Sequence, residues 1–182
     1  MRKIVAGLFI TLDGVVKSPD QWNMAYFNDE MGATIGAAMA ASDTMLLGRR
    51  TYEEFASFWP KQSGDDEMAQ QMNATPKLVV STTLDAATWA NTALIKGDVI
   101  GTLTRLKAQP GKNINTTGSG TLVLSLLRAG ILDELLLMVH PIVVGRGKRL
   151  FTEGEQLPLT LTNSQAFSTG VVALTYSAAP QS

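Results

Sequence analysis

Residues 113–128 read NINTTGSGTLVLSLLR. Asn113 to Thr116 reads as a short strand, and Thr121 to Ala129 as a helix with leucines on one side. The passage Thr117-Gly118-Ser119-Gly120-Thr121 joins them through glycines, and Gly130 stands where a left-handed residue closes a helix. A strand that feeds a helix through so short a turn is the building unit of an α/β sheet.

The same alternation extends in both directions. Lys3 to Leu12 is an apolar run rich in Ile, Val, Leu and Phe that ends at Asp13-Gly14, a buried strand entering a loop. Asn28-Asp29-Glu30 supplies a cap and first-turn acids for a helix reaching Ala41. Its small residues Gly32, Ala33, Gly36 and Ala37 predict close packing on a sheet. Thr44 to Leu47 is a second strand, followed by a helix from Arg49 to Trp59 that Pro60 stops. A short helix between Glu67 and Asn73, strands at Lys77 to Ser81 and Thr92 to Ile95, and a helix capped by Asp98 come next. Glu134 to Val144 is continuously apolar, the signature of a central strand. Alternating residues on either side of Ser168-Thr169-Gly170 then predict a C-terminal hairpin. The fold class expected is α/β, a mostly parallel central sheet flanked by helices, with an antiparallel hairpin at the end. One domain is expected over residues 1–178, with 179–182 as a tail.

Composition narrows the function. The chain has 182 residues, 45% hydrophobic and 17% charged, with a formal net charge of −1. No basic surplus exists to hold a nucleic-acid backbone, and no run is long enough to span a bilayer. No cysteine is present and only one histidine, His140. Disulfides, thiol catalysis, Cys-based zinc sites and a His-rich metal centre are therefore excluded. The expectation is a cytoplasmic protein acting on a small molecule, without metal, nucleic acid or membrane.

Three strand-to-helix turns carry the candidate chemistry. Thr117 to Thr121 reads either as an ordinary tight turn or as an anion cradle, where backbone amides and the positive end of a helix meet a phosphate. Gly48-Arg49-Arg50-Thr51 opens a helix with two cations, which suits the helix dipole badly unless an anion sits there. The other reading pairs those arginines with Glu53 and Glu54. Ser81-Thr82-Thr83 offers hydroxyls at a third strand end. In an open α/β sheet such carboxyl-end turns converge on one crevice, which points to a nucleotide with several phosphates. Asp13 closes the first strand at that same end, as a proton-transfer or binding acid or as a turn-forming residue. His140, inside an apolar strand, reads as a hydrogen-bonded core histidine, and the methionines as core filling. Arg146, Lys148 and Arg149 read as a solvated face or a subunit contact.

The stretches Thr11-Leu12-Asp13-Gly14, Leu47 to Glu53, Lys77 to Thr83, Gly118 to Leu122, Gly130 to Leu135, Pro141 and Gly145 to Phe151 together resemble the dihydrofolate reductase superfamily. Within it they are more similar to the branch holding the reductase domain of the bifunctional riboflavin-biosynthesis deaminase/reductase. The resemblance implies an NADPH-binding reductase, a homodimer. By it, Gly48, Arg49 and Thr51 meet cofactor phosphates, with Arg49 and Arg50 reading the 2′-phosphate. Ser81 and Thr82 flank the adenosine end, while Thr117, Gly118, Ser119, Gly120 and Thr121 cradle the pyrophosphate. Asp13 matches the family's substrate-side acid, and Trp22 and Tyr26 would line a flat-ring pocket. The activity implied is reduction of a small heterocyclic or imine substrate, resembling 5-amino-6-(5-phosphoribosylamino)uracil reductase. A nucleotide-binding sensor or assembly protein on the same fold, or a dihydrofolate or pteridine reductase, are the alternatives.

Overall fold

A computed structural model describes residues 1–154 and 156–178; the expected tail at 179–182 lies outside them. The chain runs β1 (Ile4–Thr11), α1 (Asp29–Ala40), β2 (Ser42–Gly48), α2 (Arg49–Phe58), α3 (Glu67–Ala74), β3 (Lys77–Val80) and β4 (Thr92–Ile95). It continues through α4 (Val99–Lys107), β5 (Asn113–Thr116), α5 (Gly120–Arg128), β6 (Glu134–His140), β7 (Leu159–Ala166) and β8 (Val172–Ala178). The strands form one sheet in the order β4-β3-β2-β5-β1-β6-β8-β7. The first six are mutually parallel and β8 is antiparallel to both β6 and β7. This is the α/β architecture the sequence predicts.

Alternation along β1 sorts the two faces of the sheet. Ile4, Ala6, Leu8 and Ile10 join Ile114, Leu135 and Leu137 on one face, under Leu103 of α4 and Leu122, Val123, Leu126 and Leu127 of α5. Each such leucine contributes roughly 1.5–3 kcal/mol by leaving water. On the opposite face two smaller clusters stand apart. One gathers Met45, Leu47, Tyr52, Met72, Val79 and Trp89; the other gathers Met31, Met138, Phe167, Val171 and Ala173. The space between those clusters becomes the site.

Two expectations are corrected here. The strand expected to reach Val144 stops at His140, because Pro141 has no amide to continue the ladder and the amide of Ile142 turns back to the His140 carbonyl at 2.8 Å. In α1, Ala33, Gly36 and Ala37 face solvent, not the sheet. Ile35, Ala38 and Met39 of that helix border a cavity, while Met31 packs against Met138 of β6, so α1 meets the sheet through its larger residues and not through the small ones.

Lys77 ties the β3 corner together. It is 1% exposed, and its ammonium donates to the carbonyls of Asn73 (3.1 Å), Thr75 (2.7 Å) and Ala90 (3.1 Å). It also lies 4.2 Å from the centre of the Trp89 ring. Two of those carbonyls belong to the C-terminal end of α3, where the helix dipole favours a cation. Burial pushes this ammonium down to about 8 from 10.5. Between those two values the unfolded chain holds a proton that the folded chain has released, so stability must rise with pH there. Denaturant titrations below pH 8 and near pH 10 are expected to show that rise in the wild type and its absence in Lys77→Met.

Candidate active site

Parallel pairing of β2 with β5 places the helices that follow them side by side, α2 after Gly48 and α5 after Ser119. The amide of Gly48 donates to the carbonyl of Gly118 at 3.1 Å. The approach leaves no room for side chains. A Cβ at Gly48 would lie 2.6 Å from Ser119 Oγ, and one at Gly118 would lie 2.9 Å from Thr51 Oγ1. Gly118 also has φ +145°, a conformation that L side chains rarely adopt, and its peptide to Ser119 is cis. Neither helix has an acid in its first turn. The start of α2 has no side-chain cap at all, while the Ser119 hydroxyl caps α5 by accepting from the Leu122 amide. Two positive helix ends therefore open at one place with their first-turn charge uncancelled.

These helix starts form the head of a cavity of about 550 Å³. Arg50, Thr51, Thr117, Gly118, Ser119 and Gly120 border it there, together with Lys17 and Lys148. Its floor is the open face of the sheet, where Met45 pairs with Asn115 and, across β1, Gly7 pairs with Leu136 and Phe9 with Met138. Its roof is α1, α2 and α3, through Ile35, Met39, Phe55, Met68 and Met72. A volume of this order suits a bound ring system with part of a cofactor.

The expected residues divide into three groups. Arg50, Thr51, Thr117, Gly118, Ser119 and Gly120 border the cavity. Gly48 and Thr121 sit just behind it, Gly48 against Ser119 and Thr121 with its hydroxyl in contact with the Lys148 ammonium. Arg49, Ser81, Thr82, Asp13, Trp22 and Tyr26 do not line it. Arg49 forms an ion pair with Glu53 one turn on, at 3.0 Å, as helical spacing invites. The Ser81 hydroxyl accepts from the amides of Thr83 (3.2 Å) and Leu84 (2.9 Å), building a local turn. Thr82 is exposed.

Asp13 lies in a turn outside the cavity lining. Its carboxylate accepts from the Thr11 hydroxyl at 2.6 Å and from the amides of Gly145 (2.8 Å) and Val144 (3.3 Å), with the Arg149 guanidinium 3.9 Å away. The Thr11 hydrogen bond, helped by the two amides, holds the carboxyl below its ordinary value. An ionised group so engaged fixes the turn after β6 and is no proton donor at neutral pH. Trp22 and Tyr26 are likewise committed elsewhere. With Phe9 they stand edge-on to the His140 ring, at centroid distances of 5.1, 5.7 and 5.6 Å. His140 is fully buried, its Nδ1 is 2.8 Å from the Met138 carbonyl, and burial lowers its basicity.

Sequence reasoning missed the walls. Met39, Met45, Met68, Met72 and Met138 are five of the eight methionines, and all border the cavity. Scattered along the chain, they gave no periodic signal. Gly7 carried a signal that was readable, since a glycine inside an apolar strand often marks close approach of a ligand. Lys148 was visible as part of a basic cluster, but only the fold carries it to the start of α5.

The sheet order and the paired helix starts define a dihydrofolate reductase-like α/β fold. Residues 2–173 match the RibD C-terminal domain family, and the chain belongs to that family. It is 30% identical over 181 residues to the Bacillus subtilis protein YyaP, covering 96% of this chain and 94% of that one. Among solved structures, a Shewanella riboflavin-biosynthesis protein superposes with a TM-score of 0.80 at 22% identity, covering 98% of this chain and 99% of that one. An Enterococcus faecalis dihydrofolate reductase complexed with NADP(H) superposes at 0.60 and 12% identity, covering 97% and 96%. Among the described residues no helix is long and apolar enough to cross a membrane.

The glycine contact makes a quantitative test. Gly118→Ala is expected to lower stability by about 1–3 kcal/mol, through its backbone conformation and the clash with Thr51. Adding Thr51→Ala should recover the part due to crowding and none of the part due to the backbone. Denaturant unfolding of the single and double variants separates the two.

Proposed function

We propose that the protein is an NADPH-dependent reductase of a small heterocyclic or imine substrate, working in the cytoplasm. The observation that carries this reading is the glycine-tight junction of α2 and α5, two uncancelled helix N-termini that open onto one cavity. The cradle fits a dinucleotide, because amides can approach a pyrophosphate only where Cβ atoms are missing.

In this reading the bound cofactor supplies hydride to a substrate seated against the sheet. The turn from Gly118 to Thr121 and the start of α5 hold the pyrophosphate, with Thr51 beside it. Arg50 is exposed and, among the described residues, forms no ion pair or side-chain hydrogen bond, so it can take the 2′-phosphate. Arg49 is already engaged by Glu53. The apolar roof keeps water from the reacting face. Glu54 is the one carboxylate among the described lining residues, so the floor offers no acid, and the proton comes from water or a nearby hydroxyl. Asp13 acts as a positioning residue for the turn after β6.

The experiment measures NADPH and NADH affinity by calorimetry, and NADPH oxidation at the nicotinamide absorbance with pyrimidine ribosylamines and pteridines. Wild type is expected to prefer NADPH. Arg50→Ala should lose about 1.5–3 kcal/mol of NADPH affinity, the worth of a charge-assisted contact, and Arg49→Ala less. Equal wild-type affinity for the two cofactors would overturn the assignment.

Assembly belongs to the same proposal. β7 pairs with β8 along one side only, and seven of its eight residues are exposed, with Leu161 at 50%. An open edge of that length invites a partner, and a two-fold homodimer would cover it. Light scattering is expected to give twice the 19.5 kDa chain mass.

A further inference from the structure

The charges around the cavity are unevenly placed. Its charged lining residues are Lys17, Arg50, Glu54 and Lys148. Lys17 follows β1, Arg50 opens α2 and Lys148 reaches the start of α5, so the three cations lie at the head where the strands end, with Glu54 one turn further along α2. Beyond these four the lining is neutral. Ser42, Thr44 and Thr75 direct their hydroxyls to Ala38, Asp43 and Gln71. Asn115, on the floor of the cavity, makes no side-chain hydrogen bond among the described residues and so offers an amide with two N–H donors and a carbonyl acceptor. A phosphate carried into this half would lose its water without meeting a counter-charge.

The neutral half is shaped for a ring. A Cβ built on Gly7 meets nothing within 4 Å, so the strand backbone itself lies open as a flat seat. The methionine side chains around it are unbranched and polarisable, and they adapt to flat apolar surfaces. We propose that the substrate end of this cavity takes a neutral conjugated ring without a phosphate group, its one polar edge meeting Asn115. This deepens the reductase reading and rests on it for the chemistry, but the ring site itself stands on the geometry of the cavity. It sets this chain apart from the phosphoribosyl substrate that the riboflavin resemblance implies.

A matched pair of probes tests it: 2-naphthol and 2-naphthyl phosphate carry the same ring, without and with the phosphate. Binding is read by tryptophan fluorescence, since Trp59 borders the cavity. NADP⁺ at saturation occupies the cationic head, so that the phosphate ester cannot borrow it. The neutral ring is expected to bind at least tenfold more tightly. Gly7→Leu is expected to weaken 2-naphthol binding more than tenfold while leaving NADP⁺ affinity unchanged. Equal or tighter binding of the phosphate ester to wild type overturns the proposal, whether or not the variant folds. So does an unchanged 2-naphthol affinity in a folded Gly7→Leu. NADP⁺ affinity is measured first; its absence defeats the cofactor reading alone, and the two probes are then compared on the unliganded protein by the same criterion.

Discussion

The site depends on one close approach, Gly48 against the Gly118–Ser119 turn, where amide meets carbonyl at 3.1 Å. Parallel pairing of β2 with β5 brings both turns to the same end of the sheet. The missing Cβ atoms then allow the starts of α2 and α5 to converge, and Ser119 and Thr51 fill the remaining space. Any larger group at either glycine would push the helix starts apart and dilute the combined field of their amides. The fold and the convergence of the two helix starts are thus coupled through a contact between two backbones.

The rest of the molecule holds that junction rigid on one side and leaves it open on the other. The large core beneath α4 and α5 is continuous across β1, β5 and β6. The opposite face carries two separate clusters, and the gap between them is the cavity. An uninterrupted second core would make a more stable protein with nowhere to bind a ligand. Lys77 stiffens one rim through three carbonyls and the Trp89 ring. At the other rim the caged His140 and the engaged Asp13 fix the segment after β6. At these rims Lys77, His140 and Asp13 serve geometry and stand outside the cavity lining.

Much of this was legible in the sequence, for local reasons. All eight strands and five helices follow from runs, caps and breakers a few residues long, including Asn28 and Asp98 as caps. The turn from Thr117 to Gly120 was recognisable as a glycine-rich strand-to-helix junction, open to either an ordinary tight turn or an anion cradle. Distance in sequence hid the rest. Nothing local reveals that the carboxylate of Asp13 meets amides more than a hundred residues later, or that Trp22 and Tyr26 close on His140. The choice between Arg49 and Arg50 turns on which one faces Glu53, a matter of helical phase and rotamer that two adjacent arginines cannot declare.

The sequence by itself therefore determined the kind and order of the elements, the exclusion of thiol chemistry, Cys-based zinc sites and a His-rich metal centre, and the glycine-rich turn between β5 and α5. Those properties are written in residue identity and in short-range periodicity. Only the tertiary structure decided that Ala33, Gly36 and Ala37 of α1 would face water, that five methionines from α1, α3, β2 and β6 would meet across one cavity, and that Gly7 would lie open on its floor. A cavity is the space that packed elements fail to fill. It exists only once strands distant in sequence have paired and the helices between them have settled at their distances from the sheet.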